Sequence, residues 1–105
     1  MENVTEKLVD LARGIGFENL PADVVREAGR RLLDALGCMI AGAIGETTAA
    51  VRKVAIVLGG AAESSILGTR ERTSCERAAL VNGTALRFLD FMDGHPGPYP
   101  CHPCF

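Results

Sequence analysis

Four titratable side chains lie close together near the end of this 105-residue chain: Asp90, Asp93, His95 and His102. Asp90 and Asp93 stand three apart, so on a helix they would share one face. His95 and His102 follow in a loop stiffened by prolines, with Gly94 and Gly97 as its pivots. If these groups converge at one helix terminus, they suit proton transfer. Imidazole titrates near neutrality, and a neighbouring carboxylate can orient it. The same spacing also fits ordinary polar residues in a turn. Two histidines this far apart among scattered Asp residues are not a specific metal-ligand pattern. Spacing alone leaves these readings open.

The second candidate is Cys101-His102-Pro103-Cys104. Haem attachment needs His directly after the second Cys, and Phe105 stands there instead. A redox dithiol is expected beside a βαβ pattern, whereas a proline-rich segment precedes this pair. Zinc is the stronger alternative, because His95, Cys101, His102 and Cys104 offer four ligands from one loop. The adjacent Cys101 and His102, however, cannot easily reach one ion together. Reduced cysteines acting as small apolar residues fit better than either, and Cys38 and Cys75 are expected to be helical and buried. The glycines make no phosphate loop: Gly37 and Gly42 have no Lys-Ser/Thr after them, and Gly59-Gly60 runs into Ala61-Ala62-Glu63. Asp34 reads as a paired or solvent-facing helix residue.

The elements that must position these groups read as helices. Asn3 can cap a first helix, with Glu6 three residues on, and Val4, Leu8, Leu11, Ala12 and Ile15 line one face before Gly14 and Gly16 end it. Pro21 suits the first turn of a second helix. Val24, Val25, Ala28, Leu32, Leu33, Leu36, Met39 and Ile40 give that helix an apolar stripe wide enough for a central element. Its small-residue half, from Ala35 to Ala43, predicts close approach of another backbone. A third helix is expected from Thr47 to Leu58, with Val51, Val54, Ala55 and Leu58 inward and Gly59-Gly60 as the stop. Ser64 to Gly68 is too short for more than a connector or an edge strand. Thr73 or Ser74 can cap a fourth helix, Cys75 to about Leu89, burying Ala78, Ala79, Val81, Ala85 and Phe88. No strand pair stands out, so the expected class is all-α, a bundle of about four helices.

Composition narrows the function classes. Hydrophobic residues make up 48% and charged residues 23%, ordinary for a globular protein. A formal net charge of −2 gives no footprint for nucleic acid. The longest apolar stretch, Ala35 to Ile44, is too short to cross a bilayer. The acidic, polar start is unlike a secretory signal. A cytoplasmic protein, with neither nucleic acid nor membrane as partner, is expected. Every Asp, Glu, Lys and Arg lies at or before Asp93, and four of the five prolines come after it. A natural terminus is usually exposed and polar. The uncharged segment 94–105 is therefore expected to be a proline-rich site loop inside a longer chain.

Two stretches resemble one family. Leu33-Asp34-Ala35-Leu36-Gly37-Cys38-Met39-Ile40-Ala41-Gly42-Ala43 is similar to an early helix of the MmgE/PrpD family. Ala78-Ala79-Leu80-Val81-Asn82-Gly83-Thr84-Ala85, then Leu89-Asp90-Phe91 through His95 and His102-Pro103, resembles its active-site stretch. The family includes 2-methylcitrate dehydratase, cis-aconitate decarboxylase and an iminodisuccinate epimerase. The resemblance runs along essentially the whole chain but covers only the N-terminal part of a several-fold longer family, so it implies a fragment of a larger helical domain. In the family's Leu-Asp-Phe-Asp-Asp-Thr-His pattern, Asp90 matches the first Asp, Asp93 the third and His95 the His. His102 matches the His of the following His-Pro. The sequence departs at Arg87, where many members have His, at Met92 for the second Asp, at Gly94 for Thr, and at Cys104 for Ser.

The resemblance implies a cofactor-independent, metal-free lyase or isomerase on a small polycarboxylate, commonly homodimeric. It implies catalytic roles for His102, which would move the proton, and for Asp90, which would orient it or bind substrate. Asp93 and His95 would contact substrate or support the loop. The 105 residues alone are expected to be inactive. The alternative from another class is a small helical binding module, zinc-binding through the C-terminal Cys/His cluster, without catalysis.

Overall fold

Helix ends lie close to the expected positions in the computed structural model, which describes residues 3–91 and Gly94. The described elements are α1 (Val4–Gly14), a 3-10 turn (Phe17–Asn19), α2 (Ala22–Gly42), α3 (Glu46–Val57), β1 (Ser64–Ser65), β2 (Arg72–Thr73) and α4 (Cys75–Phe88). The class is all-α, as the periodicity predicts. One addition is a minimal antiparallel pair, with Ser64 opposite Thr73 and Ser65 opposite Arg72. Two residues per strand carry no alternation, so sequence pattern could not reveal them.

The chain divides into two compact units, Met1–Arg30 and Arg31–Phe105. In the first, the Asn3 side-chain oxygen accepts the Thr5 N–H at 3.1 Å and caps α1. None of α1 is buried; Val4, Leu8, Leu11 and Ile15 are all exposed. The carbonyl of Pro21 accepts the Val25 N–H at 3.1 Å. Proline thus stands at the cap of α2, one position ahead of its first helical residue, where its missing N–H costs nothing.

In the second unit α4, rather than α2, is the central element. Ala78, Val81, Ala85 and Leu86 are buried along it. Leu86 packs with Ala35 and Cys38 of α2, and Met39 covers that cluster. On another side Val81 meets Ala55 of α3 and Ile66, with Val51 against them. The large aliphatic side chains expected to bury α2 do not: Leu32, Leu33 and Ile40 are exposed, while Ala35, Cys38 and Gly42 face inward. Small residues let the helix backbones approach, and that contact selects the buried face. The same correction holds elsewhere. Val54 and Leu58 of the α3 segment, and Ala79 and Phe88 of α4, are exposed. Cys38 is buried as expected, but Cys75 is exposed. Asp34 faces solvent.

Loop chemistry holds the hairpin on α4. Gly59 and Gly60 both take positive φ, which ends α3 where predicted. The Arg72 guanidinium donates to the carbonyls of Ala62 (2.9 Å) and Glu63 (3.0 Å), closing the approach to β1. The Thr48 hydroxyl is buried and finds no hydrogen-bond partner among the described residues. Among those residues no single helix is long and apolar enough to cross a membrane.

Candidate functional site

Asp90 is the one predicted site residue that lies among the described residues. Asp93, His95 and His102 lie outside them, as do Cys101 and Cys104 of the zinc alternative. Helix α4 ends at Phe88. The expected shared face with Asp93 falls outside the described residues, and Asp90 itself stands just beyond the helix. The reason is local: Asp90 has φ +53, the only positive φ at a non-glycine among the described residues. A left-handed residue stops the helical repeat, and Asp tolerates that conformation better than most side chains.

Two contacts from one residue fix Asp90 there. Its N–H donates to the Arg87 carbonyl, three residues back, at 3.1 Å and so tightens the helix end. Its Oδ1 lies 3.1 Å from Arg87 Nη1. Both side chains are more than half exposed, at 51% for Arg87 and 68% for Asp90.

Arg87 also borders a shallow, mostly apolar cavity of about 720 Å³ on the exposed side of α4. Ala79, Leu80, Gly83, Thr84, Arg87 and Phe88 line it from α4, and Thr47 lines it from the first turn of α3. Spacings of three and four residues put these α4 positions on one face. Thr84 donates its hydroxyl to the Leu80 carbonyl at 2.8 Å, so within α4 it is already satisfied.

Asn82, singled out in the sequence beside Gly83, has a structural task. Its side-chain oxygen accepts the Leu67 N–H at 2.9 Å, and its Nδ2 donates to the Ser65 carbonyl at 3.1 Å. It pins the end of β1 to α4, and so holds the helix that carries Arg87 and leads to Asp90.

A thiol and two carboxylates meet at the other end of α4. Glu63, Cys75 and Glu76 place one ligand-type atom each within 4.8 Å of one another, all exposed. Their hydrogen bonds explain the grouping. The Glu63 carboxylate accepts the Cys75 N–H at 3.2 Å, capping the helix in place of the Ser74 hydroxyl. Ser74 instead donates to Glu76 Oε1 at 2.7 Å, and Cys75 Sγ donates to Glu76 Oε2 at 3.4 Å. The hydrogen bond from Ser74 is the main reason the Glu76 carboxyl lies below its ordinary range. The bond to Glu76 is the main reason the Cys75 thiol lies above its own, with partial desolvation and the Glu63 charge adding to it.

An all-α unit with its candidate carboxylate at the end of a central helix is the class that fold and residues define. Residues 6–105 match the MmgE/PrpD N-terminal domain, and the chain belongs to the MmgE/PrpD family. No curated protein and no solved structure matches the chain.

Sequence reasoning missed Arg87 as part of this arrangement. The signal was present: an Arg three residues before an Asp at a helix end is a standard ion-pair spacing.

Proposed function

We propose that this chain is the N-terminal part of a cytoplasmic, homodimeric, cofactor-independent lyase or isomerase of the 2-methylcitrate dehydratase type. Its substrate is a small polycarboxylate, and its first step is removal of a proton beside a carboxylate. The observation that carries this reading is the family match over residues 6–105, which takes in Asp90 and the His95 and His102 positions.

A proton beside a carboxylate is weakly acidic, so its removal needs a placed base and donors for the charge that develops. His102 takes that proton. Asp90 orients His102 or holds a polar group of the substrate. Asp93 and His95 contact the substrate or brace the loop. From the carbanion-like intermediate, a hydroxyl on the adjacent carbon departs with a proton as water. Return of a proton to the opposite face gives epimerisation instead.

The test is solvent exchange. In the whole protein in heavy water, 2-methylcitrate is expected to take up deuterium beside a carboxylate, or to lose water to an unsaturated acid visible by NMR. If neither 2-methylcitrate nor cis-aconitate shows exchange, dehydration or decarboxylation, the reading is wrong.

A further inference from the structure

We infer that Arg87, which borders the cavity on α4, is the positioning residue for Asp90. This rests on the reading of Asp90 as a site residue. A carboxylate with its side chain 68% exposed is not oriented by packing. Asp90 also stands outside the helix, in a left-handed conformation that no regular neighbour extends. What defines it is Arg87, through the 3.1 Å hydrogen bond from the Asp90 N–H to the Arg87 carbonyl and the 3.1 Å approach of Nη1 to Oδ1. The first contact fixes the backbone turn and the second fixes the side chain. Both originate on the last turn of α4, so the helix end anchors the Asp90 backbone and Arg87 biases its side chain.

An ion pair this exposed adds little to stability. Its consequence is geometric. With Oδ1 engaged by the guanidinium, Oδ2 is the oxygen presented to an imidazole N–H or a substrate hydroxyl. Arg87 itself lines the cavity on α4 with Gly83 and Thr84, so the group that holds Oδ1 also borders that space. Lysine at this position keeps the charge but not the planar fork, and glutamine keeps neither.

The experiment is a double-mutant cycle in the whole protein with 2-methylcitrate as substrate, using R87Q, D90N and the double variant, with R87K as the rescue. R87Q is expected to lower kcat about tenfold with KM within about twofold. R87K should recover to within about threefold of wild type, and the double variant should be no slower than D90N alone. If R87Q has wild-type kcat, or slows D90N as much as it slows the wild type, the inference is wrong while the Asp90 reading stands. If D90N turns over at the wild-type rate, both fall. An activity-independent arm uses the Asp90 side-chain rotamer in this chain, read from three-bond NMR couplings. One rotamer that becomes averaged in R87Q supports the inference, whatever the substrate. Averaging already present in the wild type overturns it.

Discussion

Gly42 of α2 and Ala85 of α4 touch backbone to backbone: a Cβ added at Gly42 would overlap the Ala85 carbonyl oxygen and lie 2.8 Å from its carbon. Neither neighbour is a side chain that can swing away. Gly42→Ala is therefore expected to destabilise the chain by about 1–3 kcal/mol through overpacking. A urea unfolding midpoint unchanged from wild type would show that the helices are not in this contact.

That contact also shows which part of the fold was legible in the sequence. Two helix ends were legible because caps and stops are local chemistry, Asn3 before α1 and Gly59-Gly60 after α3, whereas α4 starts at Cys75 as expected but is capped by the distant Glu63 rather than by Ser74. The small residues from Ala35 to Ala43 announced a close backbone, and Ala85 is that backbone. The buried face was not legible. Apolar periodicity reports which residues could be covered, while the partner decides which are, and α4 selects Ala35, Cys38 and Gly42 over Leu32, Leu33 and Ile40. At the candidate site the residue types led to Asp90. The expected end of α4 near Leu89 put it where it stands, just past Phe88, and its left-handed backbone is what the residue types did not reveal.

Asn82 joins two elements through both ends of its amide, so its loss leaves the Leu67 N–H unpaired in a half-buried position. Asn82→Ala is expected to cost about 1–3 kcal/mol. Faster amide exchange at Leu67 is the local signature, and an unchanged exchange rate would contradict the assigned role.

Thr48 is 1% exposed, and its buried hydroxyl has no hydrogen-bond partner among the described residues. Removing it while keeping the shape should relieve a desolvated polar group. Thr48→Val is expected to raise stability by about 1 kcal/mol. A loss of that size in thermal unfolding would show that the hydroxyl is bonded.

At the start of α4 the Cys75 thiol is held protonated mainly by its hydrogen bond to Glu76. Glu76→Gln replaces the charged acceptor with a weaker neutral one and removes a nearby negative charge, so the thiolate fraction near pH 8 increases. Alkylation by iodoacetamide, followed at Cys75 by peptide mass spectrometry, should become several-fold faster in E76Q. Glu76 itself titrates below its ordinary range in the folded chain. Its contribution to stability is present above that range and is lost as the pH falls through the folded-state value, so acid should abolish it and Ser74→Ala should weaken it.

In the proposed reaction His102, with the help of Asp90, moves a proton beside a carboxylate of the substrate. The most direct measurement is the turnover of 2-methylcitrate by the whole protein carrying His102→Ala. The account predicts a fall in kcat of about 10²–10⁴-fold, with the protein still folded by circular dichroism. Turnover at the wild-type rate would contradict it.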